Sequence, residues 1–286
     1  ITAKELIITG ITGGDKVYDD TTAASASGTA TLVGVEAGDD VFLGGSPVFT
    51  FASANVGTGI TITTSGYTIN GTDSGNYTLT QPTLSGDITA APLTVTASDQ
   101  TKVYGTTDPV LTYSITGFVN GDLESDLDIG VSISRAAGET VGTYTITPSA
   151  ATDSNYAISF VTADFTITAA PLTVTASDQT KVYGTTDPTL TYSITGFQGT
   201  DTEADLDTAV SISRAAGENV GTYTITPSAA TDSNYAISFV TADFSITAAP
   251  LAITGLTGDN KVYDGTTDVT YTTLPLPTKR NVQSRE

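Results

Sequence analysis

The strongest constraint on this chain is that it repeats itself. Residues 92–170 and 171–249 are nearly the same sequence. Pro92-Leu93-Thr94-Val95-Thr96-Ala97 returns as Pro171-Leu172-Thr173-Val174-Thr175-Ala176, and Pro250-Leu251 opens a further copy at the same interval. Only ten positions differ between the two complete copies. The chain of 286 residues therefore divides into small units rather than one or two ordinary domains. Tandem copies of a small unit gain reach from copy number, and each unit must bury its own core. The first question is what the array holds apart.

Composition removes several function classes. Cysteine and histidine are both absent, so a Ser-His or Cys-His nucleophile cannot be assembled and no disulfide framework exists. Paired carboxylates of a glycosidase need a cleft that a near-duplicate unit of this size has little room for. The chain is read as a non-enzyme with no catalytic residue, no cofactor and no assigned metal ligand. The net charge of −21 argues against nucleic acid, because phosphate neutralisation needs clustered Lys and Arg. No apolar run is long enough for a signal peptide or a membrane span. The start at Ile1 without methionine reads as a mature or excised piece.

Period-two alternation runs through the unit. Leu93, Val95 and Ala97 interleave with Thr94 and Thr96; Leu111, Tyr113 and Ile115 with Thr112 and Ser114; Val131 and Ile133 with Ser132. Tyr144 and Ile146, then Tyr156, Ile158 and Phe160, then Phe165 and Ile167 continue the rule. Each run predicts a strand with one buried and one wet face. Clusters such as Gly105–Pro109, Gly138–Gly142 and Asp153–Asn155 punctuate them. Six or seven short strands per unit predict an all-β tandem array of small antiparallel, immunoglobulin-like β-sandwiches. The alternative is an α+β grasp-like unit. Leu123 and Leu127 are four apart, and Asp122 is placed to cap a short helix.

Ile167-Thr168-Ala169-Ala170-Pro171-Leu172 runs from the last strand of one unit into the first of the next without a Gly/Ser spacer. Proline fixes its own φ and holds its predecessor extended, so the joint is short and stiff, and the array is expected to be elongated. The first unit is a divergent cousin. Lys16-Val17-Tyr18-Asp19 matches Lys261-Val262-Tyr263-Asp264. The units are drawn at 1–90, 91–169 and 170–248, with a truncated unit and an atypical tail at 249–286. Leu274-Pro275-Leu276-Pro277-Thr278-Lys279-Arg280-Asn281 is foreign to the repeats and reads as a tail, a cloning remnant or an altered reading frame. Residues 250–271 supply only a strand or two, with an unpaired edge that invites other chains. Self-association into fibres is the corresponding partner expectation.

Lys102-Val103-Tyr104-Gly105 and Lys181-Val182-Tyr183-Gly184 are each followed by Asp-Pro, then Val-Gly-Thr-Tyr (first copy, Val141–Tyr144), then Asn-Tyr. This set resembles the MBG repeat of the YGX type. Lys261-Val262-Tyr263-Asp264-Gly265 resembles the related YDG repeat, and the first unit departs from it with Asp20 in place of glycine. The resemblance covers about residues 4–271. It implies a stalk in a large bacterial surface or secreted, adhesin-like protein, and supplies no catalytic residues.

Several residues are weighed as sites. Asp122, Glu124, Asp126 and Asp128 recur as Asp201, Glu203, Asp205 and Asp207. Alternating oxygen ligands suit Ca²⁺, but the spacing departs from the calcium-loop pattern, and a solvated acidic turn is the expectation. Lys16, Lys102, Lys181 and Lys261 each precede Val-Tyr, and Asn76, Asn155 and Asn234 each precede a late Tyr. A Lys–Asn isopeptide bond would need both buried beside an acid, and a lysine exposed at a turn rim is expected instead. The Asn-x-Thr sequons at Asn70 and Asn76 carry no assigned role, and the Thr-x-Thr strings are read as wet strand faces. Seven of the ten differences fall between Val119 and Gly130 or their equivalents, which reads as an exposed loop. Two functions remain. One is a structural stalk or spacer of a cell-surface or secreted adhesin or filament. The other is a repeat that itself binds glycan or a host protein.

An elongated array makes a definite scattering prediction. Small-angle X-ray scattering should give a maximum dimension well above that of a globule of equal mass, and a compact profile would contradict the stiff-joint reading.

Overall fold

The structure, a computed structural model, describes residues 2–252 and 260–267. One compact unit comprises the chain up to Leu172 with Gly196–Asp207 and Thr231–Ala236. The other comprises Thr173–Thr195, Thr208–Ala230 and, of the described residues, those from Ile237 onward. The fold is all-β, a tandem series of β-sandwiches.

In the first repeat the strands are β1 (Lys4–Gly13), β2 (Lys16–Val17), β3 (Ala26–Val33), β4 (Phe42–Phe51), β5 (Gly57–Asn70), β6 (Tyr77–Thr80) and β7 (Thr83–Thr89). They form a three-stranded sheet, β3-β1-β6, and a four-stranded sheet, β2-β7-β5-β4. The second repeat has β8 (Ala91–Ala97), β9 (Gln100–Val103), β10 (Tyr113–Thr116), β11 (Ser132–Arg135), β12 (Gly142–Ser149), β13 (Tyr156–Val161) and β14 (Ala163–Thr168). Its sheets are β10-β8-β13 and β11-β12-β14-β9. The third repeats that plan with β15 (Ala170–Ala176), β16 (Gln179–Val182), β17 (Tyr192–Thr195), β18 (Ser211–Arg214), β19 (Gly221–Ser228), β20 (Tyr235–Val240) and β21 (Ala242–Thr247), in sheets β17-β15-β20 and β16-β21-β19-β18.

The sandwich is not wholly antiparallel. β8 pairs in parallel with β13 from Ala91↔Tyr156 to Thr96↔Val161, and β9 pairs in parallel with β14 from Gln100↔Phe165 to Val103↔Thr168. Both pairings have the same sequence offset. They are therefore one parallel ladder that bends from the three-stranded sheet into the four-stranded one. Asp99 pins the bend, its carboxylate accepting the Asp164 N–H at 2.9 Å. Asp15 does the same for Asp87 at 2.8 Å, and Asp178 for Asp243 at 2.9 Å. A short polar side chain that accepts a backbone hydrogen bond is what a turn at this point needs.

Alternation decides the core. β8 reads buried at Ala91, Leu93, Val95 and Ala97. Ala97, Ile146, Phe165 and Ile167 form the core of the second repeat, with Ile133 and Tyr144 half-buried against it. Ala176, Ile225, Phe244 and Ile246 form the matching core in the second compact unit. The wet faces explain the threonine content. Thr9 and Thr31 pair across strands through their hydroxyls at 3.1 Å, and so do Thr94 and Ser159.

Two expectations are corrected. No α-helix occurs among the described residues. Leu123–Leu127 makes only a 3₁₀ turn at Glu124–Asp126, so the grasp-like alternative falls. Asp122 does not cap it; Asp126 accepts the Leu123 N–H at 2.8 Å. Phe160 is 39% exposed rather than inward, because β13 is an edge strand and Phe160 lies where it leaves its sheet for the next. The expectation that residues 250–271 form only a marginal strand pair rests on 252–256, nearly all of which lies outside the described residues.

Ile146 is fully buried beside exposed Thr145. Ile146→Ala should lower unfolding stability by about 2–5 kcal/mol, and Thr145→Ala by less than about 0.5 kcal/mol. Ile133→Ala should fall between them because Ile133 is only half-buried. Equilibrium urea unfolding of the three variants checks the order.

Candidate functional site: the repeat joint and its ion network

Between the first and second repeats a single residue separates β7 from β8, and between the second and third a single residue separates β14 from β15. The core runs through the first joint. Tyr18, Phe51, Ile62 and Ile88 of the first repeat share one cluster with Ala91, Leu93, Leu127, Ala151 and Tyr156 of the second.

The Asn-Tyr pair is the polar part of the joint. The Asn155 main-chain carbonyl accepts the Ala91 N–H at 3.0 Å, and its side-chain Oδ1 accepts the Val56 N–H of the preceding repeat at 3.0 Å. At the next joint Asn234 does both again, holding the Ala170 N–H at 2.9 Å and the Val141 N–H at 2.9 Å. The Tyr156 hydroxyl donates to Asp122 at 2.6 Å and accepts the Val119 N–H at 3.1 Å. Tyr18 of the preceding repeat donates to the same Asp122 at 3.3 Å and meets Tyr156 edge-on, ring centres 5.4 Å apart. The second joint repeats this with Tyr235, Asp201 and Tyr104 at 2.7 and 3.0 Å, again edge-on at 5.4 Å. The first repeat holds the same pattern at its own start, with the Tyr77 hydroxyl on Asp39 at 2.6 Å and the Glu36 N–H on Tyr77 at 3.1 Å. Burial and then the neighbouring carboxylate push the Tyr156 and Tyr235 hydroxyls up to about 12, so both stay protonated donors at neutral pH.

Lys102 overturns the expectation of an exposed lysine. It is 7% exposed, as is Lys181. Lys102 occupies the inward position of β9, so its stem packs inside, and its ammonium meets Asp108 at 2.7 Å and Glu139. Arg135 bonds the same two carboxylates, at 2.5 Å to Asp108. Its other nitrogen donates to the Ala136 and Gly138 carbonyls at 2.9 and 2.7 Å, and its guanidinium covers Phe165 at 4.7 Å. Gly138, at φ +146°, has to be glycine, because a Cβ there would lie 2.0 Å from the Tyr144 ring. Lys181, Asp187, Arg214 and Glu218 repeat the square in the second compact unit. Two cations sharing two carboxylates satisfy each other's donors, which is the condition under which a lysine can be buried. Burial alone would lower the Lys102 ammonium; the hydrogen bonds it donates to Asp108 and Glu139 outweigh that and raise the net value. Arg135 first, then Lys102, hold Asp108 down at about 2.

The remaining candidates fall into place around these groups. Asn155 serves the joint while Lys102 sits between acids, so the two are not brought together for an isopeptide bond. The acidic turn is not simply solvated. Asp122 serves two tyrosines, Glu124 accepts the Tyr113 hydroxyl at 2.6 Å, and Asp126 accepts a backbone N–H. Among the described residues no group of three or more carboxylates gathers for a metal ion. The variable segment Val119–Gly130 is not a free loop; it begins at the joint. Arg135 and Glu139 were missed from sequence. In a near-duplicate almost every residue recurs, so recurrence marked neither.

The ion square predicts an acid limb. Asp108 is depressed below its ordinary 3.8, so its contribution to stability is complete above about pH 4 and is lost as pH falls towards 2. The Asp108→Asn, Asp187→Asn double variant should lose that slope in melting temperature between pH 5 and pH 2. At pH 7, Asp108→Asn should cost about 2 kcal/mol, less than breaking a fully buried pair, since the Asp108 side chain is 38% exposed.

The joint motifs fall within the segments that match known families. The chain matches the MBG domain (YGX type) at residues 93–166 and 172–245, and the YDG domain at residues 2–84. No curated protein matches it. Among solved structures it is similar to the three N-terminal domains of the bacteriophage RB49 highly immunogenic outer capsid protein (Hoc), at 11% identity over 87% of this chain and 100% of that one, TM-score 0.23. Drosophila N-cadherin EC1-3 is similar at 11% identity over 83% and 98%, TM-score 0.22. The four N-terminal Ig domains of Dscam1 isoform 8.4 are similar at 11% identity over 84% and 73%, TM-score 0.22. Matched over more than half its length by the YGX-type repeats that carry the Lys-Val-Tyr-Gly, Asp-Pro, Val-Gly and Asn-Tyr elements of the joint and ion square, the chain belongs to the MBG domain (YGX type) family, with a YDG domain at its start.

Proposed function

We propose that this chain is a stalk or spacer segment of a bacterial cell-surface or secreted adhesin or filament, holding a binding tip away from the cell. It is divided as repeats 1–90, 91–169 and 170–248, with a truncated repeat and tail at 249–286. The matched families are repeat domains rather than enzymes, and they suggest an extracellular or surface protein.

The observation that carries this reading is the parallel pairing of a repeat's first two strands with its last two, β8 with β13 and β9 with β14 in the second repeat and β1 with β6 and β2 with β7 in the first. The chain enters at Ala91 and leaves at Thr168, at opposite ends of that ladder. Tension between the two points loads the ladder's hydrogen bonds together, in shear, whereas an antiparallel terminal pair would open one bond at a time. A spacer that must hold its length under load needs that geometry. The glycan- or protein-binding alternative loses its candidate at the start of the variable segment, because Asn120 and Asp122 are engaged with the preceding repeat.

Single-molecule stretching of the whole chain provides the test. Force–extension traces should show discrete unfolding events, one for each repeat. The second and third repeats, drawn at 91–169 and 170–248, contain the same number of residues, so their events should release equal contour lengths. Extension at low force without such events would remove the mechanical reading.

A further inference from the structure

The two joints share the tyrosine–aspartate contacts and differ beside them, in a five-residue segment that holds four of the ten differences between the two near-identical repeats. Residues 119–123 are Val-Asn-Gly-Asp-Leu, and their counterparts 198–202 are Gln-Gly-Thr-Asp-Thr. Asp122 and Asp201 are the constant member, each held by two tyrosines. Of the changed residues, Asn120 and Gln198 meet the turn that follows the Lys-Val-Tyr motif of the preceding repeat.

That turn comes in two forms. In the first repeat it is Tyr18-Asp19-Asp20. Asp19 accepts the Thr21 N–H at 2.9 Å, and Asp20 takes the left-handed conformation at φ +56°. The Asp20 carboxylate accepts from Asn120 Nδ2 at 3.1 Å, and Val119 packs against the shared core. In the second repeat the turn is Tyr104-Gly105-Thr106, closed by the Thr106 N–H on the Val103 carbonyl at 3.1 Å, with Gly105 at φ +78°. Gln198 lies directly over it. A Cβ on Gly105 would stand 2.3 Å from Gln198 Cβ and 2.7 Å from its Cγ. A turn with any side chain after the tyrosine cannot sit under Gln198 without displacing it. Gly199 has no side chain to meet a carboxylate such as that of Asp20, and the Gln198 amide is turned back to donate to the Gly196 carbonyl at 3.1 Å.

We propose that residues 119–123 and 198–202 form a selector surface that reads the type of the preceding repeat. The Val119–Asn120 version takes a Tyr-Asp-Asp turn through the Asn120–Asp20 bond. The Gln198–Gly199 version takes only a Tyr-Gly turn, through close contact with a residue that lacks Cβ. One version gains an attraction and the other excludes by clash, the two means by which related partners are discriminated. The order of repeats along the chain is thereby written into five residues of each repeat, independently of what the array does.

Hydrogen exchange by NMR on the full chain tests this, because each joint has its own reporter. The Val56 N–H crosses the first joint to Asn155, and the Val141 N–H crosses the second to Asn234. Val119→Gln, Asn120→Gly and Leu123→Thr together put the third repeat's contact residues at the first joint, with Gly121 kept because its φ of +94° would strain a threonine. Val56 exchange should accelerate at least tenfold while Val141 stays unchanged. Asn120→Gly alone should act in the same direction and spares the core. At the second joint Gly105→Ala should accelerate Val141 exchange at least tenfold, and adding Gln198→Gly should reverse the part due to the clash, leaving the strain of alanine at φ +78°. An unchanged Val56 rate in both first-joint variants, or no recovery with Gln198→Gly, overturns the proposal.

Discussion

The second repeat depends on one parallel ladder that ties its first two strands to its last two and bends with them from one sheet into the other, and the first repeat pairs its strands in the same order. A sandwich this small has a thin core, and two sheets held only by apolar contact would be marginal. A ladder common to both sheets adds backbone hydrogen bonds where the sheets would otherwise part. It also settles where the chain enters and leaves. Because the paired strands run the same way, the entry and exit points lie at opposite ends, and each repeat delivers its last strand to the place where the next must begin.

The joint follows from that placement. The turn after Lys-Val-Tyr closes one repeat, and the Asn-Tyr pair opens the next. The two meet because the ladder puts them at facing ends. Protonated tyrosines held between burial and a carboxylate make a short-range, directional lock. The shared cluster from Tyr18 to Tyr156 excludes water from the first of these joints.

Scarce positive charge is used inside the fold. The seven basic residues before residue 262 are Lys4, Lys16, Lys102, Arg135, Lys181, Arg214 and Lys261, and each bonds a carboxylate. Four of them form the two ion squares that close the sandwiches beneath Phe165 and Phe244. The outer surface is left strongly acidic, which keeps copies of the chain from associating non-specifically.

The repeat period, the β class, the inward faces at Leu93, Val95, Ile146 and Phe165, and the spacer-free joint were legible in the sequence. Each is a local property: alternation of side chains along a strand, or a proline beside an alanine pair. The family resemblance was legible too, because its motifs are short and regularly spaced. The buried Lys102, the bend pinned by Asp99, the outward Phe160 and the role of Asp122 were not. Each depends on a partner far away in the sequence, or on a strand's place at a sheet edge. Composition argues against burying a lysine, and only the convergence of Asp108, Arg135 and Glu139 reverses that energy. The sequence by itself determined what every strand offers to each face. The tertiary structure alone decided which turn meets which loop, because a joint is made by long-range register, and register is fixed only when both sheets close around the ladder.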